Sequence, residues 1–245
     1  MIWSGVHHSF DELELPTHDQ GFIHPLWLEK SIARLEAVQY AAMPGPHPSY
    51  RITDVVLAAT GGTGRVSVLD VGGNLGQTGL DVKRRLPRAE VGWTVLERPD
   101  LLAAAAAVTS LPSEIEFVSD PNALEDRRFD TIHLGSVLQY FEDWRGELAG
   151  LVADRMHSGS WMVISDAMCD RSIPSFVTAQ RYYDASLPMH FLNLDELLAH
   201  LEACGLEIIL VEPYLTPHTA GYYPEADLPA EFRIRHPYNL VLRSG

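Results

Sequence analysis

The chain alternates between two hydrophobic patterns, one typical of buried strands and one typical of helices. Runs of branched aliphatic residues predict strands, and apolar residues three and four positions apart predict the helices between them. We predict strands at 66–71, 91–96, 115–118, 131–134, 161–165, 206–211 and 238–243. We predict helices at 77–86, 99–108, 144–156 and 194–204. Strands that alternate with helices indicate an α/β fold with a parallel sheet covered on both faces.

The N-terminal part of the chain departs from this alternation. An aromatic-rich stretch at its start is followed by two predicted helices, at 26–43 and 50–59. We therefore expect residues 1–60 to form a helical cap or extension on a catalytic domain of residues 61–245.

The C-terminal part departs from it as well. The strands at 206–211 and 238–243 follow one another without a helix between them, which predicts an antiparallel last strand. The stretch after residue 165 is predicted to be irregular, and the proline-rich residues 213–237 to be a long connection.

Composition and charge exclude several classes of function. The 245 residues suffice for one large domain, and 46% of them are hydrophobic, as is ordinary for globular proteins. A formal net charge of −15 disfavours binding to a phosphate backbone, so we expect no nucleic-acid partner. No apolar run reaches about 18 residues and no secretory pattern begins the chain, so we expect a cytoplasmic protein without membrane association. Cys169 and Cys204 form no CxxC pair, which fits a reducing compartment.

The strand predicted at 66–71 leads into a glycine-rich turn. Gly72 and Gly73 follow the strand directly, and Gly76 opens the next helix. Adjacent glycines let the backbone approach a ligand closely, and the amides at a helix start attract acceptor groups. Such a strand-turn-helix unit binds nucleotides in doubly wound sheets, although the same turn can also be a plain connection.

Carboxylates follow or close the first three predicted strands. Glu97 comes about 20 residues after Gly76 and either accepts hydrogen bonds from both ribose hydroxyls or is an exposed carboxylate in the loop before the next helix. Asp120 follows the third strand and either reaches an adenine amino group or caps the next helix. Asp70 precedes the glycines and either braces the turn or approaches the amino-acid end of a ligand.

Polar residues follow the fourth and fifth predicted strands, and the segment after the fourth faces the same crevice. Ser136 begins the segment after the fourth strand. Gln139 and Tyr140 follow it and either donate neutral hydrogen bonds to a ligand carboxylate or amine, or only cap the next helix. Asp166 ends the fifth strand and either lines an acceptor site or braces its loop.

These motifs together resemble a known family. Residues 50–245 resemble class I S-adenosylmethionine (SAM) methyltransferases. The motifs that carry this resemblance are Leu69-Asp70-Val71-Gly72-Gly73, Glu97 and the segment of the fourth strand. The motifs Trp3-Ser4-Gly5, Ser136-Val137-Leu138-Gln139-Tyr140 and Gln180-Arg181 resemble a small bacterial methyltransferase group that includes azetidine-2-carboxylate synthases. The resemblance implies SAM as cofactor and a Rossmann-like, seven-stranded, mostly parallel sheet. It implies cofactor binding by Asp70, Gly72, Gly73, Gly76, Glu97, Asp120 and Ser136.

A tyrosine pair, Tyr182 and Tyr183, stands where the general family has an aliphatic-proline stretch. Tyrosine pairs in this region resemble those of azetidine-2-carboxylate synthases, which cyclise the aminobutyrate chain of SAM and release methylthioadenosine. Two aromatic faces can hold a sulfonium through cation–π contacts of roughly 0.5–2 kcal/mol each. The attacking amine must be neutral, a form that burial favours. We therefore predict Tyr182, Tyr183 and Gln139 as catalytic residues, the alternative for the pair being plain packing of a lid.

Three functions compete on this evidence. The first is cyclisation of SAM in specialised metabolism, which needs no second substrate. The second is methyl transfer to a small molecule, for which Asp184 or His190 is a candidate base. The third is a SAM-binding module without activity, which the glycine turn and Glu97 disfavour. The histidines show no paired ligand spacing, so we predict no metal, and the aromatic N-terminal segment can pair two copies in a homodimer.

Overall fold

The structure, a computed structural model, describes residues 2–13, 15, 20–40, 51–61, 64–215 and 227–245, with residues 20, 21 and 182 described by their backbone alone. The strands are β1 (Trp3–His7), β2 (Arg65–Val71), β3 (Glu90–Leu96), β4 (Glu116–Val118), β5 (Phe129–Gly135), β6 (Met156–Ala167), β7 (Cys169–Asp170), β8 (Phe176–Tyr182), β9 (Ala185–Asn193), β10 (Leu206–Pro213) and β11 (Tyr238–Ser244). The helices are α1 (Pro25–Tyr40), α2 (Ile52–Thr60), α3 (Gln77–Arg85), α4 (Pro99–Ala106), α5 (Trp144–Arg155) and α6 (Leu194–Ala203). None of these helices is both long and apolar enough to cross a membrane.

The larger sheet has seven strands in the order β10-β11-β6-β5-β2-β3-β4. All pairings among β4, β3, β2, β5 and β6 are parallel. The last strand, β11, is antiparallel to both of its neighbours. The prediction of a mostly parallel sheet with an antiparallel last strand is therefore confirmed.

The strand order reverses at β2, which lies between β3 on one side and β5 on the other. In open α/β sheets a crevice forms outside the carboxyl ends of the strands at such a reversal, because the connections leave in opposite directions. The turns that follow β2, β3, β5 and β6 therefore meet at one edge of the sheet.

Apolar layers on both faces hold this sheet in place. Successive residues of β2 point to opposite faces, so Val68 packs in the cluster that includes α2 and Leu69 packs in the cluster that includes α5 and α6. Both side chains are fully buried. A strand buried on both faces is expected where helices cover a parallel sheet from two sides, and it explains why most residues of this strand are aliphatic.

A second sheet of four strands lies in the order β1-β8-β9-β7. Its strands β7, β8 and β9 occupy most of residues 169–193, so the prediction of an irregular stretch there is wrong. Pro188 lies inside β9, and a proline within a run argues against a strand from sequence alone. Strand β1 pairs antiparallel with β8, so the expected helical cap at residues 1–60 also contains a strand.

Candidate cofactor and substrate cavity

A cavity of about 1660 Å³ opens at the carboxyl ends of the central strands of the larger sheet. The turns after β2, β3, β5 and β6 line one side of it. Phe10, Phe22 and Trp27 from the N-terminal segment, with Leu187 and Pro188 from β9, line the other side. Sites for drug-sized ligands typically measure roughly 300–1,000 Å³, so this cavity has room for more than one small molecule.

The glycine turn forms part of the cavity wall, and it has no space for side chains. Gly72 has φ +66°, and a Cβ there would lie 2.6 Å from the side chain of Val137. A Cβ on Gly73 would lie 2.5 Å from Oδ2 of Asp70. Gly76, with φ +78°, caps the start of α3 and is not among the described residues that line the cavity. Gly72 and Gly73 thus offer bare backbone to a ligand, while Gly76 shapes the helix start.

Glu97 lines the same cavity at the end of β3. Its Oε2 accepts a hydrogen bond from the backbone N–H of Asn74 at 2.9 Å, and its Oε1 accepts one from the N–H of Arg98 at 2.8 Å. Burial raises the pKa of Glu97, and these two backbone bonds oppose that rise. Each carboxylate oxygen can accept a further hydrogen bond, so the side chain is held in position and can still receive two ribose hydroxyls.

Asp120 is not among the described residues that line the cavity, although its neighbours Ser119 and Pro121 are. Its Oδ1 accepts hydrogen bonds at 2.9 Å from the backbone N–H and the side-chain amide of Asn122. The carboxylate thereby caps the short 3-10 helix Pro121–Leu124, which is the alternative role that its position allows. A contact with adenine stays a prediction.

A buried chain of polar side chains crosses the sheet beneath the glycine turn. The indole of Trp93 donates to Oδ2 of Asp70 at 3.2 Å, and Oδ1 of Asp70 lies 2.8 Å from Nδ1 of His133. Nε2 of His133 lies 3.3 Å from the hydroxyl of Ser165. Asp70 and His133 are each 1% exposed. Asp70 therefore braces the turn through its partners, and direct contact with a ligand stays a prediction.

Sequence reasoning missed His133. It stands in a hydrophobic strand, and its partner Asp70 is 63 residues earlier in the chain. The one local sign is Gly135, because a Cβ at that position would lie 2.7 Å from the ring of His133. A glycine ending a strand has many explanations, so this sign alone could not identify a buried pair.

A second polar cluster lines the cavity at the ends of β5 and β6. The Ser136 hydroxyl donates to Oδ2 of Asp166 at 2.8 Å, and the amide of Gln139 donates to the Ser136 hydroxyl at 3.3 Å. Ser136 and Asp166 have φ values of +57° and +55°, a conformation that residues other than glycine adopt rarely and mostly at functional sites. The two turns are thus shaped to bring these side chains together.

Burial raises the pKa of Asp166 to about 6, while the hydrogen bond from Ser136 opposes the rise. Oδ1 of Asp166 and Oε1 of Gln139 are both shielded from solvent, and neither receives a hydrogen bond from any described residue. Next to them, the Tyr140 hydroxyl donates to Oε1 of Gln180 at 2.8 Å. Burial, and secondarily the charge of Asp166, raise the pKa of Tyr140.

The predicted tyrosine pair lies at the turn between β8 and β9. Tyr183 has φ +59°, and its ring stacks on that of His24 with centroids 4.9 Å apart. The Lys30 ammonium lies 4.8 Å from the centroid of the same ring. Tyr183 is not among the described residues that line the cavity. The side chain of Tyr182 lies outside the described part of the structure, so the catalytic role of both tyrosines stays a prediction.

The two candidate bases near this turn have other partners. Asp184 is exposed and forms an ion pair with His24 at 2.8 Å. Nε2 of His190 lies 3.2 Å from the carbonyl oxygen of Glu142, and burial lowers the pKa of His190. Neither side chain belongs to the described lining of the cavity. Across the described residues, no three His, Cys, Asp or Glu side chains are grouped to hold a metal.

Comparisons with known proteins address the fold. No protein-family model and no curated protein sequence matches the chain. Among solved structures, the glycopeptide N-methyltransferase MtfA with S-adenosylhomocysteine (SAH) has a TM-score of 0.54 at 15% identity, over 80% of this chain and 90% of that one. This chain has the class I methyltransferase fold.

Two further structures cover nearly the whole chain. The 1,6-didemethyltoxoflavin-N1-methyltransferase of Burkholderia thailandensis, with 1,6-didemethyltoxoflavin and SAH bound, has a TM-score of 0.52 at 16% identity, over 95% of this chain and 93% of that one. The (4+2)-cyclase SpnF has a TM-score of 0.54 at 17% identity, over 98% of each chain. The predicted fold is confirmed, whereas membership of the azetidine-2-carboxylate synthase group stays a prediction.

Proposed function

We propose that the cavity binds SAM and that the protein transfers its methyl group to a small-molecule acceptor. One observation carries this proposal: the same cavity is lined by a nucleotide-type glycine turn and by the polar cluster of Ser136, Gln139 and Asp166. The glycine turn and Glu97 suit the adenosyl part of SAM. The cluster at the ends of β5 and β6 suits a reacting group.

The residues at the glycine-turn end fit SAM. Bare backbone at Gly72 and Gly73 allows close approach of a ligand, and Gln77 and Thr78 at the start of α3 also line the cavity. Glu97 is already oriented by two backbone amides and can accept hydrogen bonds from the ribose. Two structures of the same fold hold SAH. When bound, SAM would supply an electrophilic methyl group on a cationic sulfur.

The size of the cavity and its polar cluster favour an acceptor beside the cofactor. The volume exceeds the usual range for one ligand, so a second molecule can enter beside the cofactor. Asp166 lines this space with a pKa of about 6, near the operating pH that suits a general base. Methyl transfer needs both of these features, because an acceptor must reach the methyl group and then lose a proton.

Cyclisation of SAM to azetidine-2-carboxylate is a second candidate, because the ring of Tyr183 already carries a cation on its face. Lys30 occupies that face at 4.8 Å, which supports the idea that the ring can hold a sulfonium. The ring lies outside the described cavity lining, so cyclisation requires the turn between β8 and β9 to move toward the cofactor.

Incubation of the purified protein with SAM separates the two reactions. Methyl transfer predicts that SAH appears only after an acceptor is added, with the methylated acceptor seen by mass spectrometry. Cyclisation predicts methylthioadenosine from SAM alone, with loss of that product in Tyr183→Ala and its retention in a control variant of the exposed Tyr40, Tyr40→Ala. A protein that neither binds nor consumes SAM contradicts both proposals.

A further inference from the structure

The polar cluster of the cavity contains hydrogen-bond acceptors to which no described residue donates. Oδ1 of Asp166 and Oε1 of Gln139 lie in residues that line the cavity, and no described residue donates to either oxygen. Gln139 is only 2% exposed. A buried acceptor without a donor is energetically unfavourable, so these two oxygens are matched to a group that brings N–H or O–H donors.

The charge around the cavity favours a cation. Eight acidic side chains line it, against three arginines and no lysine among the described residues. Two of the arginines already have partners nearby, since Arg98 binds the carboxylate of Asp100 at 2.7 Å and Arg34 lies 5.2 Å from the ring of Trp27. An anionic acceptor would meet a net negative field here, whereas a protonated amine is attracted by it.

Part of the cavity lining is apolar and aromatic. The rings of Phe22 and Tyr140 meet edge to face with their centroids 5.0 Å apart, and Phe10, Leu187 and Pro188 also line the cavity. These side chains offer flat apolar surface next to the polar cluster. The site therefore combines acceptors for a donor-rich head group with surface for a hydrophobic body.

We propose that the acceptor is a small amine with a flat apolar body, held with its nitrogen against Asp166 and Gln139. This inference rests on the proposed function and adds the class of its substrate. The bound ammonium would first give a proton to the Asp166 carboxylate, which passes it to solvent. The neutral nitrogen would then attack the methyl carbon of SAM, so that a C–N bond forms and the C–S bond breaks, with its electron pair passing to sulfur. SAH is released, and the proton that the methylated nitrogen loses passes to Asp166 and on to solvent.

The test measures the binding of matched probes to SAH-saturated protein by calorimetry. The probes are phenethylamine, 2-phenylethanol and phenylacetate, which share a phenyl body and differ in the head group. We expect phenethylamine to bind at least about tenfold more tightly than the alcohol, and the carboxylate to bind most weakly. Asp166→Asn and Gln139→Met should each weaken the binding of phenethylamine. The loss should be roughly tenfold or more for Asp166→Asn, because a hydrogen bond to a charged group is stronger than one to a neutral group. The control Asp126→Asn removes an exposed carboxylate outside this cavity and should change nothing.

The outcomes distinguish this inference from the proposed function. Tight SAH binding with no preference for the amine, or with a preference that Asp166→Asn preserves, overturns the amine assignment and leaves the SAM site standing. A preference for the alcohol overturns it in favour of O-methylation. Failure to bind SAH overturns the proposed function, and the amine assignment with it.

Discussion

Replacing Asp166 by asparagine should make the protein more stable and less active. Asparagine keeps the shape of the side chain, can still accept the hydrogen bond from Ser136, and tolerates the positive φ of +55° at this position. It removes the charge, which is the part of the side chain that the surroundings disfavour. The perturbation therefore isolates ionisation from packing.

The magnitude follows from the pKa of Asp166. Burial raises that pKa from 3.8 to about 6, so the folded protein binds the proton more tightly than the unfolded chain does. The resulting destabilisation is absent below the unfolded pKa, grows as the pH rises, and is complete above the folded pKa. At about 1.36 kcal/mol per pKa unit, it reaches roughly 3 kcal/mol above pH 7 and only about 1 kcal/mol at pH 4.5.

Thermal unfolding of both forms across this pH range measures the effect. For a domain of this size, roughly 2–4 °C of Tm corresponds to 1 kcal/mol, so Asp166→Asn should raise the Tm by about 6 °C or more at pH 8. The gain should shrink as the pH falls toward 4.5. The control Asp126→Asn should stay within roughly 0.5 kcal/mol of the wild type. A lower Tm for Asp166→Asn at pH 8, or a gain that does not depend on pH, refutes the reasoning.

Three further substitutions test other parts of the site. Gly73→Ala should lower the Tm, because its Cβ would lie 2.5 Å from a buried carboxylate oxygen of Asp70. The control Gly150→Ala has open space on α5 and should raise the stability by roughly 0.5–1 kcal/mol. Glu97→Gln should weaken SAH binding roughly tenfold in calorimetry through loss of a charged acceptor, with Glu207→Gln on β10 as an inert control. His133→Leu should lower the urea midpoint by an amount equivalent to about 1–3 kcal/mol, because it removes the buried partner of a carboxylate.

Each of these three predictions has an outcome that would contradict it. Equal Tm values for the two glycine variants would mean that the turn has more space than the structure indicates. Unchanged SAH affinity in the Glu97 variant would remove this residue from the cofactor site. A His133→Leu variant as stable as the wild type would mean that the buried pair contributes nothing net to folding.

The larger sheet could be predicted from the sequence because its signals are local. The run that forms β2 is aliphatic from Val66 to Val71 except for Ser67 and Asp70, and a glycine turn follows it. Burial on both faces requires such a run, so pattern and structure agree along the central strands. The carboxyl ends of parallel strands share one edge of the sheet, so the sequence alone predicts that Glu97 and Ser136 face one crevice.

The place of β1 in the second sheet could not be predicted because its pairing is long-range. Strand β1 pairs Trp3 with Gln180, and no local pattern specifies a partner so distant in the chain. The buried pair of Asp70 and His133 could not be predicted for the same reason, because the two residues are 63 positions apart in the chain. Each residue alone is compatible with several roles. For Asp166 the sequence left two roles open, and its cavity position and its bond to Ser136 became visible only with the turns in place.

A crystal structure of the protein with SAH tests the central claim most directly, namely that the cavity at the reversal of strand order is the cofactor site. The account predicts SAH along the Gly72–Gly73 turn, with both ribose hydroxyls within hydrogen-bond distance of the Glu97 carboxylate and the sulfur directed toward Asp166. SAH bound elsewhere on the protein, or a ribose turned away from Glu97, would contradict it.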